Sequence, residues 1–511
     1  MYSIKNLTIM GLVCILAVSG CQIQNTNAQT PAYDVQEETQ QFSEMDVSVK
    51  ADDFIRQISV GYNIGNSLDS CPTNGRNNGT YSPSYYETFW GNPTVTADYV
   101  DAVIAAGFNT IKVPVTWYYN TYVAENGELQ IREEWLERVG QVIDYALNQG
   151  LYVILDSHHD EYIIWADMDA IDEVSANLCS LWKQIADYFE DYDYHLVFEG
   201  FNEINTKDNS WKYRDGTIEA TNILNQCFVD TIRSCGGQNP QRLLICDTYL
   251  SSCEDEALSG YVLPTDSSAD LLMIGIHCYT NIYDQDMKDT FKTLDEFSKS
   301  AGAPVLITEF GTTTDYTPIE YRSFHAGNYI SYANDYHIKC FWWDDGKKYS
   351  LFNRKTCAVS QSDIVSALMN PTKFHVEKIS TKTYNTFKLY TYGILEGELG
   401  SVSDGGKGAV TLTAEGAGVS VSPGLGYHII LTASDHADGL RLCGISFYDK
   451  QGKLLNYQSV SNSQAYDITA PSEARYMRIS IYNPWGYRSA AQYQSYLETA
   501  QMQLEITEYI K

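Results

Sequence analysis

The sequence predicts an α/β protein: a (β/α)8 TIM barrel followed by a smaller C-terminal antiparallel β-sandwich. Three observations carry this expectation. Eight short apolar runs alternate with helical patterns over residues 55–370, no Gly-rich phosphate loop follows the first run, and the period changes after Pro371. A chain of 511 residues also exceeds what one core fills, since single cores stop growing near ~250 to 300 residues.

Residues 1–20 read as a signal peptide rather than as structure. Lys5 precedes an apolar run at 9–18, too short for a bilayer that needs ~20 residues. The run ends in Val18-Ser19-Gly20-Cys21, which resembles a bacterial lipobox, where cleavage before Cys21 frees its thiol for lipidation. An ordinary signal peptide with a chance cysteine is the plainer alternative. Residues 21–45, rich in Gln, Asn, Thr and Glu, read as a flexible tether. The expected location is therefore extracellular, lipid-anchored at the cell surface.

The barrel domain is expected over 46–371, with apolar runs at 58–64, 110–117, 152–158, 195–201, 242–248, 271–279, 304–310 and 338–343. Between them Trp135, Leu136, Val139, Val142, Ile143 and Ala146 recur at helical spacing. Ile171, Val174, Leu178, Leu181, Trp182 and Ile185 do the same. Over 372–511 the pattern becomes strands and turns, as at 410–413, 428–432, 445–448 and 476–482, which predicts the sandwich. Asp449, Lys450, Gln451 and Gly452 read as a hairpin turn.

The formal charge of −31 leaves no basic patch for phosphates and would repel an anionic ligand, so nucleic acid is excluded and a neutral polymer is not. Forty tyrosines suit stacking on pyranose faces, although most tyrosines simply pack. Ten of the twelve cysteines lie beyond Cys21 and form no CxxC pair, which argues against a zinc cluster and leaves a Cys246–Cys253 bridge open. No cofactor and no obligate protein partner is indicated.

Chemistry in such a barrel gathers where strands end at their C-termini. Lys112 lies in the second run, His158 and His159 end the third, Asn202 and Glu203 the fourth, His277 and Tyr279 the sixth, Glu309 the seventh and Trp343 the eighth. Two carboxylates across one barrel mouth are what glycoside cleavage needs, one protonated to assist the leaving oxygen and one ionised to attack carbon. Glu309 is expected as the anion, held by Lys112 and the Tyr279 hydroxyl. Glu203 is expected to keep its proton through burial and the Glu309 charge.

Several segments in order carry a family resemblance: Gly61-Tyr62-Asn63-Ile64-Gly65-Asn66, Trp90-Gly91-Asn92-Pro93, Gly107-Phe108-Asn109-Thr110, Pro114-Val115-Thr116-Trp117, Phe198-Glu199-Gly200-Phe201-Asn202-Glu203, His277-Cys278-Tyr279, Thr308-Glu309-Phe310-Gly311 and Phe341-Trp342-Trp343-Asp344. Together they resemble glycoside hydrolase family 5, most closely its endoglucanase and xyloglucanase branch. The resemblance implies a retaining endo-β-1,4-glycanase, with a neutral β-linked polysaccharide as partner. It further implies Glu203 as acid/base, Glu309 as nucleophile, Asn202 on the sugar 2-hydroxyl, His277 and Tyr279 supporting the carboxylates, and Trp343 as stacking platform. Asn66 and Trp90 lie in motifs and join the substrate-binding set with Lys112 and His158.

Two positions depart from the family: Lys112 stands where Arg is usual and Asn120 where His is usual. Lys lacks the planar fork, so weaker orientation of the nucleophile is expected. A weakly active or non-catalytic glycan-binding lipoprotein is the alternative function, and xylanase or mannanase activity the alternative within the fold. A metal-dependent hydrolase at His158 is disfavoured because adjacent residues on a strand face opposite ways. Trp117, Trp165, Trp211 and, in the sandwich, Trp485 could stack on sugars or merely pack.

Overall fold

The computed structural model describes residues 49–510 apart from 73–80, 126, 281–282, 314–318, 386–387, 393–408, 414–417, 434–440, 464 and 483–501. The expected signal, tether, Cys21 and Trp485 lie outside the described residues.

Eight parallel strands close into a barrel: β1 (Gly61–Ile64), β2 (Thr110–Val113), β3 (Tyr152–Asp156), β4 (Leu196–Glu199), β5 (Leu244–Ser252), β6 (Leu272–His277), β7 (Val305–Phe310) and β8 (Lys339–Asp344). Each is followed by a helix on the outside: α1 (Ala97–Ala105), α2 (Glu133–Leu147), α3 (Ile171–Tyr188), α4 (Thr217–Ser234), α5 (Asp255–Gly260), α6 (Asp284–Ala301), α7 (Ile319–Asp335) and α8 (Ser362–Met369). The helical stripes seen in the sequence are the buried faces. On α2 these are Trp135, Leu136, Val139, Val142, Ile143 and Ala146, and on α3 Val174, Leu178, Leu181, Trp182 and Ile185. The Thr96 hydroxyl caps α1 by accepting the Tyr99 amide.

The barrel interior is apolar at one end and ionic at the other. Helix Ala51–Gln57 plugs the N-terminal end, where Phe54, Ile55 and Ile58 pack with Ile154, Val197, Ile245, Met273, Leu306 and Phe341. Gly61 is required there, because a Cβ would lie 2.0 Å from the Phe341 ring. Towards the C-terminal end the strands turn in Asn63, Lys112, Asp156, Glu199 and Asp247, all fully buried. Lys112 Nζ lies 2.6 Å from Glu199 and 3.2 Å from Asp156. This corrects the expectation for Lys112: it has no exposed surface, pairs with Asp156 and Glu199, and cannot touch substrate. Burial disfavours its charge, but Glu199, Asp156 and Asp247 outweigh burial and hold it as an ammonium. The proton affinity of Asp247 is in turn pushed well above the usual carboxylate range by burial and by Glu199.

The described strands within 377–510 form two antiparallel sheets. One is β9 (Glu377–Tyr384), β18 (Met502–Ile510), β13 (Gly426–Ala433) and β16 (Ala465–Thr469), in that order. The other runs β10 (Lys388–Tyr392), β11 (Ala409–Thr413), β17 (Tyr476–Tyr482), β14 (Leu442–Tyr448) and β15 (Leu454–Ser463), with β12 (Val419–Ser420) paired to β17. Period-two positions fill the space between them: Tyr427, Ile429 and Leu431 with Leu504 and Ile506 on one side, Ile445 and Phe447 with Met477, Ile479 and Ile481 on the other. The turn between β14 and β15 is held by Asp449, whose Oδ1 accepts the amides of Gln451 and Lys453, and Gly452 takes a φ of 83°. The ten cysteines among the described residues are free thiols, so Cys246 and Cys253 are not bridged.

Candidate active site

The C-terminal mouth of the barrel collects the candidate residues. Glu203 follows β4 in a left-handed conformation (φ 40°), uncommon for a residue with a Cβ, and its amide is held by Ser251 Oγ at 3.0 Å. The preceding Asn202 amide donates to the Ser157 carbonyl at 2.8 Å. Glu309 is the penultimate residue of β7 and accepts the Tyr279 hydroxyl at 2.5 Å, while its carbonyl receives the Cys278 amide. His277, the last residue of β6, stands between the two acids: its Nδ1 is 2.9 Å from Glu203 Oε1 and 3.7 Å from Glu309 Oε2. Donor atoms of Glu203, His277 and Glu309 all lie within 4.8 Å of one another.

Proton affinities in this cluster differ from the sequence expectation. Burial favours the neutral form of Glu203, but the His277 hydrogen bond and the charges of His277, His158 and His159 hold it below the usual carboxylate range. Glu309 is pushed up by burial, and the Glu203 charge adds to this against the opposing pull of His277. Burial would lower His277, yet Glu309 and Glu203 together raise it. The three groups are coupled, with His277 and Glu309 shifted towards holding a proton and Glu203 towards releasing one.

A second group forms the wall. His158 Nδ1 contacts Asp156 at 2.8 Å, which turns its other nitrogen towards the mouth, and its ring lies parallel to Trp343 at 5.6 Å. His158 and Lys112 overcome the cost of burying the Asp156 charge and hold that carboxyl at about 2. Gly65 makes room for Trp343, since a Cβ would approach its six-membered ring to 2.5 Å. Asn66 is left-handed (φ 52°), its amide bound to Asp69, and Asn92 ties its carbonyl to that of Asp345. Trp90 meets His159 edge-on at 5.5 Å.

His158 and His159 do not face opposite ways, because β3 ends at Asp156 and both lie beyond the reach of strand alternation. Their nitrogens come within 4.8 Å of each other and of an Asp69 oxygen. Burial opposes the His159 charge, but Glu161 and Asp69 raise its pKa to about 9, so at neutral pH it brings N–H groups rather than a lone pair. Trp117 and Trp165 are buried and serve packing, the latter beneath Lys207 Nζ at 4.2 Å, whereas Trp211 is exposed. Asn120 is buried, its amide on the Trp117 carbonyl and its carbonyl on the Arg132 amide. Asp156, Asp69 and Gly65 were missed from sequence. For Asp156 a signal existed, an acid closing an otherwise apolar strand.

Residues 73–348 match the family described as Cellulase (glycosyl hydrolase family 5). The chain belongs to glycoside hydrolase family 5. Among its family 5 relatives, Endoglucanase A of Ruminococcus albus is 32% identical over 353 residues, covering 64% of this chain and 93% of that one. A GH5-4 broad specificity endoglucanase from Ruminococcus champanellensis, solved with bound cellotriose, superposes with a TM-score of 0.59 at 31% identity, covering 63% of this chain and 98% of that one. A family 5 enzyme from Prevotella bryantii B14, solved as a mutant with a xyloglucan tetradecasaccharide, gives 0.57 at 30% identity, with coverages of 63% and 98%. The matched part is the barrel.

Proposed function

We propose that this family 5 chain is a retaining endo-β-1,4-glucanase acting on β-glucan, cellulose or xyloglucan. The observation that carries the reading is the carboxylate pair: oxygens of Glu203 and Glu309 lie within 4.8 Å, a spacing that suits direct attack, since inverting pairs stand ~6.5 to 9.5 Å apart to admit a water. Endoglucanase relatives, and neighbours solved with cellotriose and xyloglucan, support the substrate class.

Glu309 attacks the anomeric carbon while Glu203 passes its proton to the departing glycosidic oxygen. The C–O bond breaks and a glycosyl ester forms on Glu309. Glu203 then takes a proton from water, whose oxygen displaces Glu309 and restores the starting state. Glu203 needs its proton only when sugar covers it, and its side chain is 28% exposed against 9% for Glu309. A sugar ring that strips water from Glu203 raises its proton affinity and draws the proton along the 2.9 Å hydrogen bond from His277. Trp343 offers a flat apolar face, and Asn202 and His158 offer polar groups to the ring hydroxyls.

Release of reducing ends from mixed-linkage glucan, carboxymethylcellulose, xyloglucan, xylan and mannan tests the reading. Cleavage of a glucan with retained anomeric configuration, lost in Glu309→Ala, is expected. Inversion, or preference for xylan or mannan, would overturn it. Export and anchoring at Cys21 belong to the same proposal, supported by the apolar run at 9–18 before Cys21. Cys21→Ala should move the protein from the membrane fraction into the medium.

A further inference from the structure

Tyr279, which donates to Glu309, follows β6, and the described residues on either side of it are held by neighbouring elements. Helix α7 carries Tyr321, His325 and Tyr329 at i, i+4 and i+8, a single stripe of the helix. Tyr329 Oη donates to the Cys278 carbonyl at 2.6 Å, and His325 Nε2 donates to the Thr280 carbonyl at 2.9 Å. The backbone is therefore held immediately before and after Tyr279. Burial lowers the His325 pKa to about 4, so the ring stays neutral and keeps its Nε2 contacts with Thr280 at physiological pH.

The first residue of the stripe faces the sandwich. Tyr321 shares a hydrogen bond with the Thr469 hydroxyl of β16. Tyr321, Tyr283, Val376 and Tyr509 of β18 form one buried cluster. Tyr283, immediately before α6, meets the Tyr509 ring edge-on at 5.5 Å, with Tyr321 against the same ring at 6.4 Å. Tyr509 is itself fixed: its hydroxyl reaches Asp467 at 3.3 Å, and Gly426 leaves room for the ring, since a Cβ there would lie 2.3 Å from it. Asp467 also pairs with His428 at 3.0 Å, whose ring lies 6.4 Å from Tyr283. Asn328 of α7 exchanges two hydrogen bonds with the backbone of Phe374, which ties the connection between the domains to the same helix.

We propose that the C-terminal sandwich is a brace for the active-site segment: Tyr509, acting through Tyr283 and Tyr321, is a positioning residue for Tyr279 and hence for Glu309. The sandwich is then part of the hydrolytic machinery rather than a detachable glycan-binding module. This rests on Glu309 being the nucleophile, so hydrogen exchange in the resting full chain is measured beside hydrolysis.

In Tyr509→Ala, amide exchange in the peptide containing Tyr279 and Thr280 should rise about tenfold while peptides from β2 to β4 stay unchanged. On β-glucan kcat should fall about tenfold with KM altered less than about twofold, and Tyr509→Phe, which keeps the ring, should recover most of both. In a Tyr279→Phe background the Tyr509→Ala change should cost less than about twofold more, because the interaction it protects is already gone. Unchanged exchange in Tyr509→Ala, or an equal loss in both backgrounds, would overturn the brace. If the parent chain cleaves no glucan, the functional reading fails and the exchange result still decides the brace. Should Tyr509→Ala not fold, Thr469→Val removes one partner of the Tyr321 hydroxyl while leaving the rings in place, and no change in exchange or kcat there counts against the proposal.

Discussion

The coupling of Glu203, His277 and Glu309 sets how this site should respond to pH. Two carboxylates raise the affinity of His277 for its proton, so the cluster retains a proton to higher pH than a carboxyl pair would alone. His277→Asn removes that reservoir while keeping a polar group of similar size. The basic limb of kcat/KM should move to lower pH, and a limb left in place would show that Glu203 holds its own proton. Lys112 makes the opposite kind of prediction, about stability. Lys112→Met leaves Asp156 and Glu199 without their buried cation and should cost about 3 to 5 kcal/mol in urea unfolding at pH 7. The Asp156 carboxyl is depressed to about 2, so its contribution is present above the ordinary carboxylate pKa and disappears as pH falls through about 2. The penalty in Lys112→Met should therefore shrink in acid. Lys112→Arg is expected to be no faster than the parent, since the larger head must enter a site with no exposed surface. The two glutamates were legible in sequence because each closes an apolar run. The partners of Lys112, Asp156 and Glu199, were not, because a charge inside a strand does not reveal which layer of the barrel it reaches.

Strand and helix ends decide what each of these residues can touch. The eight strands were legible because burial on both faces leaves continuous apolar runs, and the helices because only one stripe of each is buried. Ends were less so. The third run was read to His158 but β3 stops at Asp156, and those two residues separate a strand in which neighbours diverge from a loop in which His158 and His159 converge. The end of β1 carries a similar dependence. Gly65 follows the strand directly under Trp343, and Gly65→Ala would push a methyl group into the indole. Because Gly65 lies at the mouth and not in the apolar plug, kcat/KM on cello-oligosaccharides should fall while the thermal midpoint moves little. Equal losses in both would mean that Trp343 is a core residue rather than a platform.

At the scale of the whole molecule, charge and architecture bear on which polymers are cut. Sixty-five acidic against thirty-four basic residues give −31, far beyond what the site itself requires. The sum was legible at once, whereas the contact between sandwich and barrel was not, because Tyr283, Tyr321 and Tyr509 carry no periodic signal that points across domains. A field of one sign repels a polyanion before any subsite is reached, and salt weakens that repulsion as the Debye length falls from ~30 Å at 0.01 M to ~8 Å at 0.15 M. Raising salt over this range should therefore increase kcat/KM on carboxymethylcellulose and leave neutral mixed-linkage glucan nearly unchanged. The comparison separates two causes of poor activity on a charged cellulose derivative. Failure of the carboxymethyl groups to fit the mouth would persist at high salt, whereas repulsion by the surface would not. A gain with salt on both polymers would point instead to a conformational effect, and the uniform repulsion argued from the net charge would be wrong.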